Sequence, residues 1–167
     1  MRKNPIDFIQ NKRGLVLSGL LALSVGTLVY LTDRRPEETY FVVKSLPEWH
    51  LLADLPPVFG KAGHVLPDFI HPFAFSLIFA GFFARSPRGA LVICLFWFCV
   101  NAAFELGQYY KAAATALVPQ WFEGFAYLEN CENFFLNGVF DPADLLAMFA
   151  GAAAAFAMAA RVLKTRN

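Results

Sequence analysis

Three groups of polar residues stand at helical spacing beside long apolar runs. Asp68 and His71 are three apart, Asn101, Glu105 and Gln108 follow at steps of four and three, and Asp141 and Asp144 are three apart. Residues so spaced share a helix face. Carboxylates next to hydrocarbon are tolerated where they face protein or water, so these faces are expected to converge on one polar mouth. The candidate ligand-binding residues are Asp68, His71, Glu105, Gln108, Asp141 and Asp144, a set suited to a polar or cationic group. Glu105 is the first choice, because it follows sixteen uncharged residues in a run whose helical pattern continues, where capping has no use for a carboxylate. By spacing, its expected partners are His71, Asn101 and Gln108.

Each of the other residues also has a structural reading. Asp141-Pro142-Ala143-Asp144 is close to an ideal helix start, with a capping residue, proline at the first position and an acid in the first turn. Pro67-Asp68 can be read in the same way. His71 precedes Pro72 in the first turns of a helix, where a neutral histidine bonded to a neighbour is ordinary. One histidine among carboxylates lacks the paired His or Cys spacing of a metal site, and no metal or other cofactor is called for. Cys94 and Cys99 are five apart and point to different faces, while Cys131 stands alone, so the cysteines provide no disulfide framework. Ser76 has no base at matching distance, which leaves nucleophilic catalysis without a signal, and the protein is read as more a binder than an enzyme.

The elements that must hold these groups are apolar. Stretches free of formal charge cover 14–31, 69–84, 89–104 and 145–160, the first of 18 residues and the others of 16. A hydrocarbon core of about 30 Å needs about 20 helical residues. Extending the last three to that length carries Asp68, Glu105 and Asp144 to the edge of the apolar layer. The composition agrees: of 167 residues 57% are hydrophobic and 16% charged, and the mean hydropathy is +0.48. Such apolar content excludes disorder, and a net charge of +1 excludes a nucleic-acid binder that works by neutralising phosphates. A soluble globule would have nowhere to put 19 Phe. The expected architecture is all-α: a single membrane domain over 1–167, with four transmembrane helices at about 14–32, 68–84, 88–106 and 142–162 and amphipathic helices in the outer loops.

With four spans, nine basic residues share the side of the termini with Asp7 alone, and five share the other with the remaining twelve acids. That split of +8 against −7 puts both termini in the cytoplasm. The first span is read as an uncleaved anchor rather than a signal peptide, because the run is long and no small-x-small site follows it. Arg85-Ser-Pro-Arg88 makes spans two and three an antiparallel hairpin. Segment 45–54 reads as a short surface helix, and the helical pattern from Glu105 is expected to run on through 111–117 until Pro119 stops it. Trp121, Phe122, Phe125 and Tyr127 suit an interfacial belt. Ala147, Gly151 and Ala155, at steps of four, should let another helix approach closely, of this chain or of a partner membrane protein.

In their order and helical context, Asp68-Phe-Ile-His71, Glu105-Leu-Gly-Gln108 and Asp141-Pro-Ala-Asp144-Leu-Leu-Ala-Met-Phe-Ala-Gly151 resemble the VanZ-like family of small bacterial membrane proteins. The resemblance covers 67–155, about half the chain. It departs from the family pattern at Met148, where the family has Asn, and at 137–139, where an Arg is expected. A family Lys near the first His has no match between Asp68 and His71. The resemblance implies a multi-pass protein of the bacterial inner membrane with a cell-envelope role, and implies no particular reaction. Two functions follow for the sequence: an envelope protein whose outer acidic mouth binds a lipid headgroup or envelope precursor, or a non-catalytic accessory subunit of a larger membrane complex. Metal-assisted hydrolysis at the mouth is the weakest of the alternatives.

Overall fold

The computed structural model describes residues 5–34, 56–126 and 128–164, with side chains from residue 10 onward. Among the described residues six α-helices follow one another: α1 (Pro5–Thr32), α2 (Ala62–Phe83), α3 (Pro87–Tyr109), α4 (Lys111–Leu117), α5 (Cys131–Asn137) and α6 (Pro142–Lys164), with short 3₁₀ turns at Gln120–Gly124 and Leu128–Asn130. No strand occurs among the described residues. Gln10–Thr32 of α1 and the whole of α2, α3 and α6 are long and apolar enough to cross a membrane, so the chain is an all-α, multi-pass bundle. The surface helix expected over 45–54 lies outside the described residues.

Local chemistry sets the helix ends. Ser86 has an extended backbone and its Oγ accepts from Gly89 N at 3.2 Å, with Pro87 at the first helical position of α3. Asp141 Oδ1 caps α6 through Ala143 N at 2.8 Å, and Arg161 and Lys164 occupy its last turn, where cations suit the dipole. α2 starts at Ala62, so Pro67 and Pro72 lie inside it, and Asp68 follows more than a full turn of helix. The loop ahead of α2 turns at Gly60, whose φ of +54° is open to glycine and strained for most other residues. The helical pattern after Glu105 is not continuous: Tyr110, at φ −95° and ψ 46°, separates α3 from α4. Its carbonyl then accepts from Ala113 and Ala114 N and starts the new helix.

α2 is the centre of the bundle and packs against α1, α3 and α6. In lipid, apolarity alone gives helices no reason to associate, so close backbone approach matters. A Cβ on Gly151 would collide with the Phe69 carbonyl oxygen, and one on Gly81 would lie 3.0 Å from the Lys12 carbonyl. The small-residue face of α6 therefore meets α2 of the same chain, with Ala155 fully buried. Leu15, Ala84, Ala90, Ala159 and Leu163 share one buried cluster. That cluster joins the start of α1 and α3 to the end of α2 and α6, so these four helix ends lie at the same end of the bundle. The outward faces carry Leu21, Phe82, Phe83, Val92, Phe96 and Phe149, all exposed, as a lipid-facing surface requires.

Candidate functional site

The opposite end of the bundle gathers the end of α1, the start of α2, the end of α3 and the start of α6. Glu105, only 4% exposed, projects from α3 toward the start of α6, and its Oε1 accepts from Asp141 N at 2.8 Å. Asp141 thus caps α6 with its side chain while its own backbone is held by α3. Asp68 of α2 is within electrostatic reach of Asp144, Glu105 and Arg34, and Asp144 of Asp141 and Arg34. Four carboxylates therefore gather at this end of the bundle, with the Arg34 guanidinium beside Asp68 and within electrostatic reach of Asp144. Among the described residues, no three His, Cys, Asp or Glu side chains are grouped to hold a metal ion.

Arg34 is the residue that spacing missed. It follows α1 by two positions, and its Nη2 lies 3.9 Å from Asp68 Oδ2 and donates to the His64 carbonyl at 2.8 Å. The guanidinium carbon sits 5.4 Å from the centre of the Tyr30 ring, an attractive placement for a cation. The backbone beside it is fixed by Asp33, whose Oδ1 accepts from Phe59 and Gly60 N at 2.8 Å each and whose Oδ2 accepts from Val58 N at 3.1 Å. Thr32 Oγ1 donates to the same carboxylate at 2.6 Å. Burial pushes the Asp33 carboxyl up, but these hydrogen bonds to its charged form outweigh it and hold the group below the usual range. The sequence signal available was Asp33-Arg34-Arg35 directly after the first apolar run, which entered the reading only as charge outside a span.

The remaining candidates divide. His71 stacks on Tyr30 and Phe75 at 6.2 and 6.3 Å and feels the charge of Arg34; its neighbours are rings and a cation. Gln108 is buried and packs on the loop after α5, where a Cβ on Gly138 would lie 2.5 Å from its Cδ. Asn101 Nδ2 turns back to the Trp97 carbonyl at 2.7 Å. The partner of Glu105 is thus a backbone N–H of α6, in place of the side chains that spacing suggested. Ser76 is fully buried in α2. Cys94, Cys99 and Cys131 are all free thiols, and burial pushes the Cys131 thiol up, which disfavours its reactive thiolate.

No protein-family model, curated protein or solved structure matches the chain.

Proposed function

We propose that the chain is a VanZ-like protein of the bacterial cytoplasmic membrane, with both termini inside, whose polar mouth at the outer leaflet binds the headgroup of a lipid or lipid-linked envelope precursor. The observation that carries this reading is the gathering of Asp68, Glu105, Asp141 and Asp144 at one end of helices whose middles are free of charge, with Arg34 beside Asp68. Charge at bundle depth is costly, and its usual return is contact with a polar ligand or pathway. The basic excess at the opposite end supports the orientation. The test is extraction of the protein in polymer nanodiscs with its native lipids. One headgroup should be enriched over the bulk membrane, and Asp68→Asn with Asp144→Asn should abolish that enrichment. A lipid profile equal to the bulk would overturn the reading.

The second reading is an accessory subunit of a membrane complex. It is favoured by the apolar surface outside the spans, where Leu117, Trp121, Phe125 and Val139 are exposed. The Ala147, Gly151 and Ala155 face is occupied by α2, so a partner would use this aromatic surface. Gentle solubilisation separates the two readings by whether the protein migrates alone or in an assembly.

A further inference from the structure

We infer that the end of the bundle opposite the mouth is a binding surface for anionic phospholipid, where the guanidiniums of the α2–α3 hairpin and the cations of α1 and α6 hold the phosphate of a phosphatidylglycerol-type headgroup. This surface is separate from the mouth and stands whichever way the bundle faces.

One buried cluster fixes where the cations sit. Leu15, Ala84, Ala90 and Leu163 belong to it, and Arg13, Arg85, Arg88, Arg161 and Lys164 each lie within two residues of one of these. All five are exposed, and among the described residues none of them is in an ion pair. The described carboxylates run from Asp33 to Asp68 and from Glu105 to Asp144, at the far ends of α1, α2, α3 and α6 or in the turns between α3 and α6. Residues 1–9 and 165–167 bring Arg2, Lys3 and Arg166 against Asp7 alone, so by formal charge they do not offset the excess. Like charges held together without counterions repel one another, and an external anion relieves them.

The hairpin is held in shape. Ser86 Oγ accepts from Gly89 N, Ala84 N and Ala90 N donate to the Ala80 and Ser86 carbonyls, and both alanines are buried. Arg85 and Arg88 therefore stand on a short turn anchored at each side. Lys12 Nζ donates to the Phe82 carbonyl at 3.4 Å and ties α1 to the same place. A guanidinium fork matches the oxygens of a phosphate.

The apolar side chains beside the cations decide what carries the anion. Arg13 and Leu17 are four apart on α1, Arg88 and Val92 four apart on α3, and Met158 and Arg161 three apart on α6, so each pair shares a helix face. Leu17, Val92 and Met158 are exposed, as are Phe82 and Phe83 just ahead of Arg85. Cations set directly against an apolar band suit a headgroup phosphate whose acyl chains continue along the helices. A soluble polyanion would meet the charge and leave the band unused.

The test uses the purified full chain in maltoside detergent with four probes: dioleoyl phosphatidylglycerol, dioleoyl phosphatidylcholine, glycerol 3-phosphate and polyglutamate. Phosphatidylglycerol should bind saturably and about tenfold more tightly than phosphatidylcholine, whose choline cancels the phosphate charge. High salt should erase that difference, because the cations are exposed. Arg85→Gln with Arg88→Gln should lower phosphatidylglycerol affinity about tenfold and leave phosphatidylcholine unchanged. If that variant does not accumulate, Arg161→Gln with Lys164→Gln carries the test with the same expectation. Phosphatidylglycerol binding no tighter than phosphatidylcholine, or indifferent to the variant tested, would overturn the inference. Glycerol 3-phosphate displacing the lipid at equal concentration would overturn the lipid assignment and move the phosphate to a solute. Polyglutamate displacing it likewise would overturn the lipid and give the face to an acidic protein.

Discussion

Glu105 shows how a single buried carboxylate can tie two helices together. Its Oε1 accepts from Asp141 N, so it braces the start of α6 and holds Asp141 and Asp144 over the mouth. Glu105→Gln keeps an acceptor at that position and should unfold within about 1 kcal/mol of the wild type. Glu105→Leu leaves the Asp141 N–H without its acceptor and should cost about 1–3 kcal/mol in detergent unfolding. Equal stability of the two variants would show that the bond contributes nothing. Asp33 makes a pH-dependent contribution of known sign. Its folded carboxyl is held below the usual range, so its stabilisation is complete above the unfolded value of about 4 and is lost as pH falls through the lower folded value. Asp33→Asn should therefore lower the unfolding midpoint at neutral pH, by about 1 kcal/mol for a bond set this near solvent, and the difference should vanish at acid pH. A difference that persists there would assign the effect to shape rather than charge.

Much of this was legible at the scale of elements, and the reasons for the rest are physical. The charge-free runs disclosed the four long helices because lipid-facing helices have no polar face to interrupt them. The gathering of Asp68, Glu105, Asp141 and Asp144 was legible because the runs alternate in direction, so the start of the second and fourth and the end of the third fall on one side. The start of α2 was not: Pro67 reads as a helix boundary, whereas it lies inside a helix beginning at Ala62, in the stretch where Arg34 reaches the His64 carbonyl. Nor could spacing along one helix pair Arg34 with Asp68, since that contact joins the end of α1 to α2. The seams predict their own failures. A Cβ on Gly151 would strike the Phe69 carbonyl, backbone that cannot step aside. Gly151→Leu should open the α2–α6 seam and reduce folded yield severely, while Ala153→Leu, on an exposed position of the same helix, should be tolerated. Comparable yields would mean that the two helices part at little cost.

At the scale of the molecule, the bundle defines two unlike ends. The start of α1 and the end of α6 share the cluster containing Leu15 and Leu163, so these two helix ends lie together and the 85–88 connection lies with them. Counted along the sequence, nine basic residues and one acid fall in the segments that lead to that end, and five basic residues and twelve acids in the others. Positively charged loops are retained in the cytoplasm, and short loops such as 85–88 are the ones that obey this bias. The depth of the tryptophans should follow. Trp97, midway along α3 and packed on Phe75 and Phe79 at 4.7 and 5.0 Å, should be quenched from acyl-chain positions, and the exposed Trp121 from the headgroup region, measured with Trp49→Phe as the background. Fusions of a reporter active only in the cytoplasm should report at either terminus, and a periplasm-only reporter inserted in the exposed turn after Gln120 should report outside. Adding two lysines beside Gln120 while replacing Arg85 and Arg88 with Gln reduces the charge difference that sets the orientation, and should produce a mixed population. A carboxy terminus outside in the wild type would reverse this orientation and place the acidic mouth in the cytoplasm, where an outer-leaflet headgroup could not reach it.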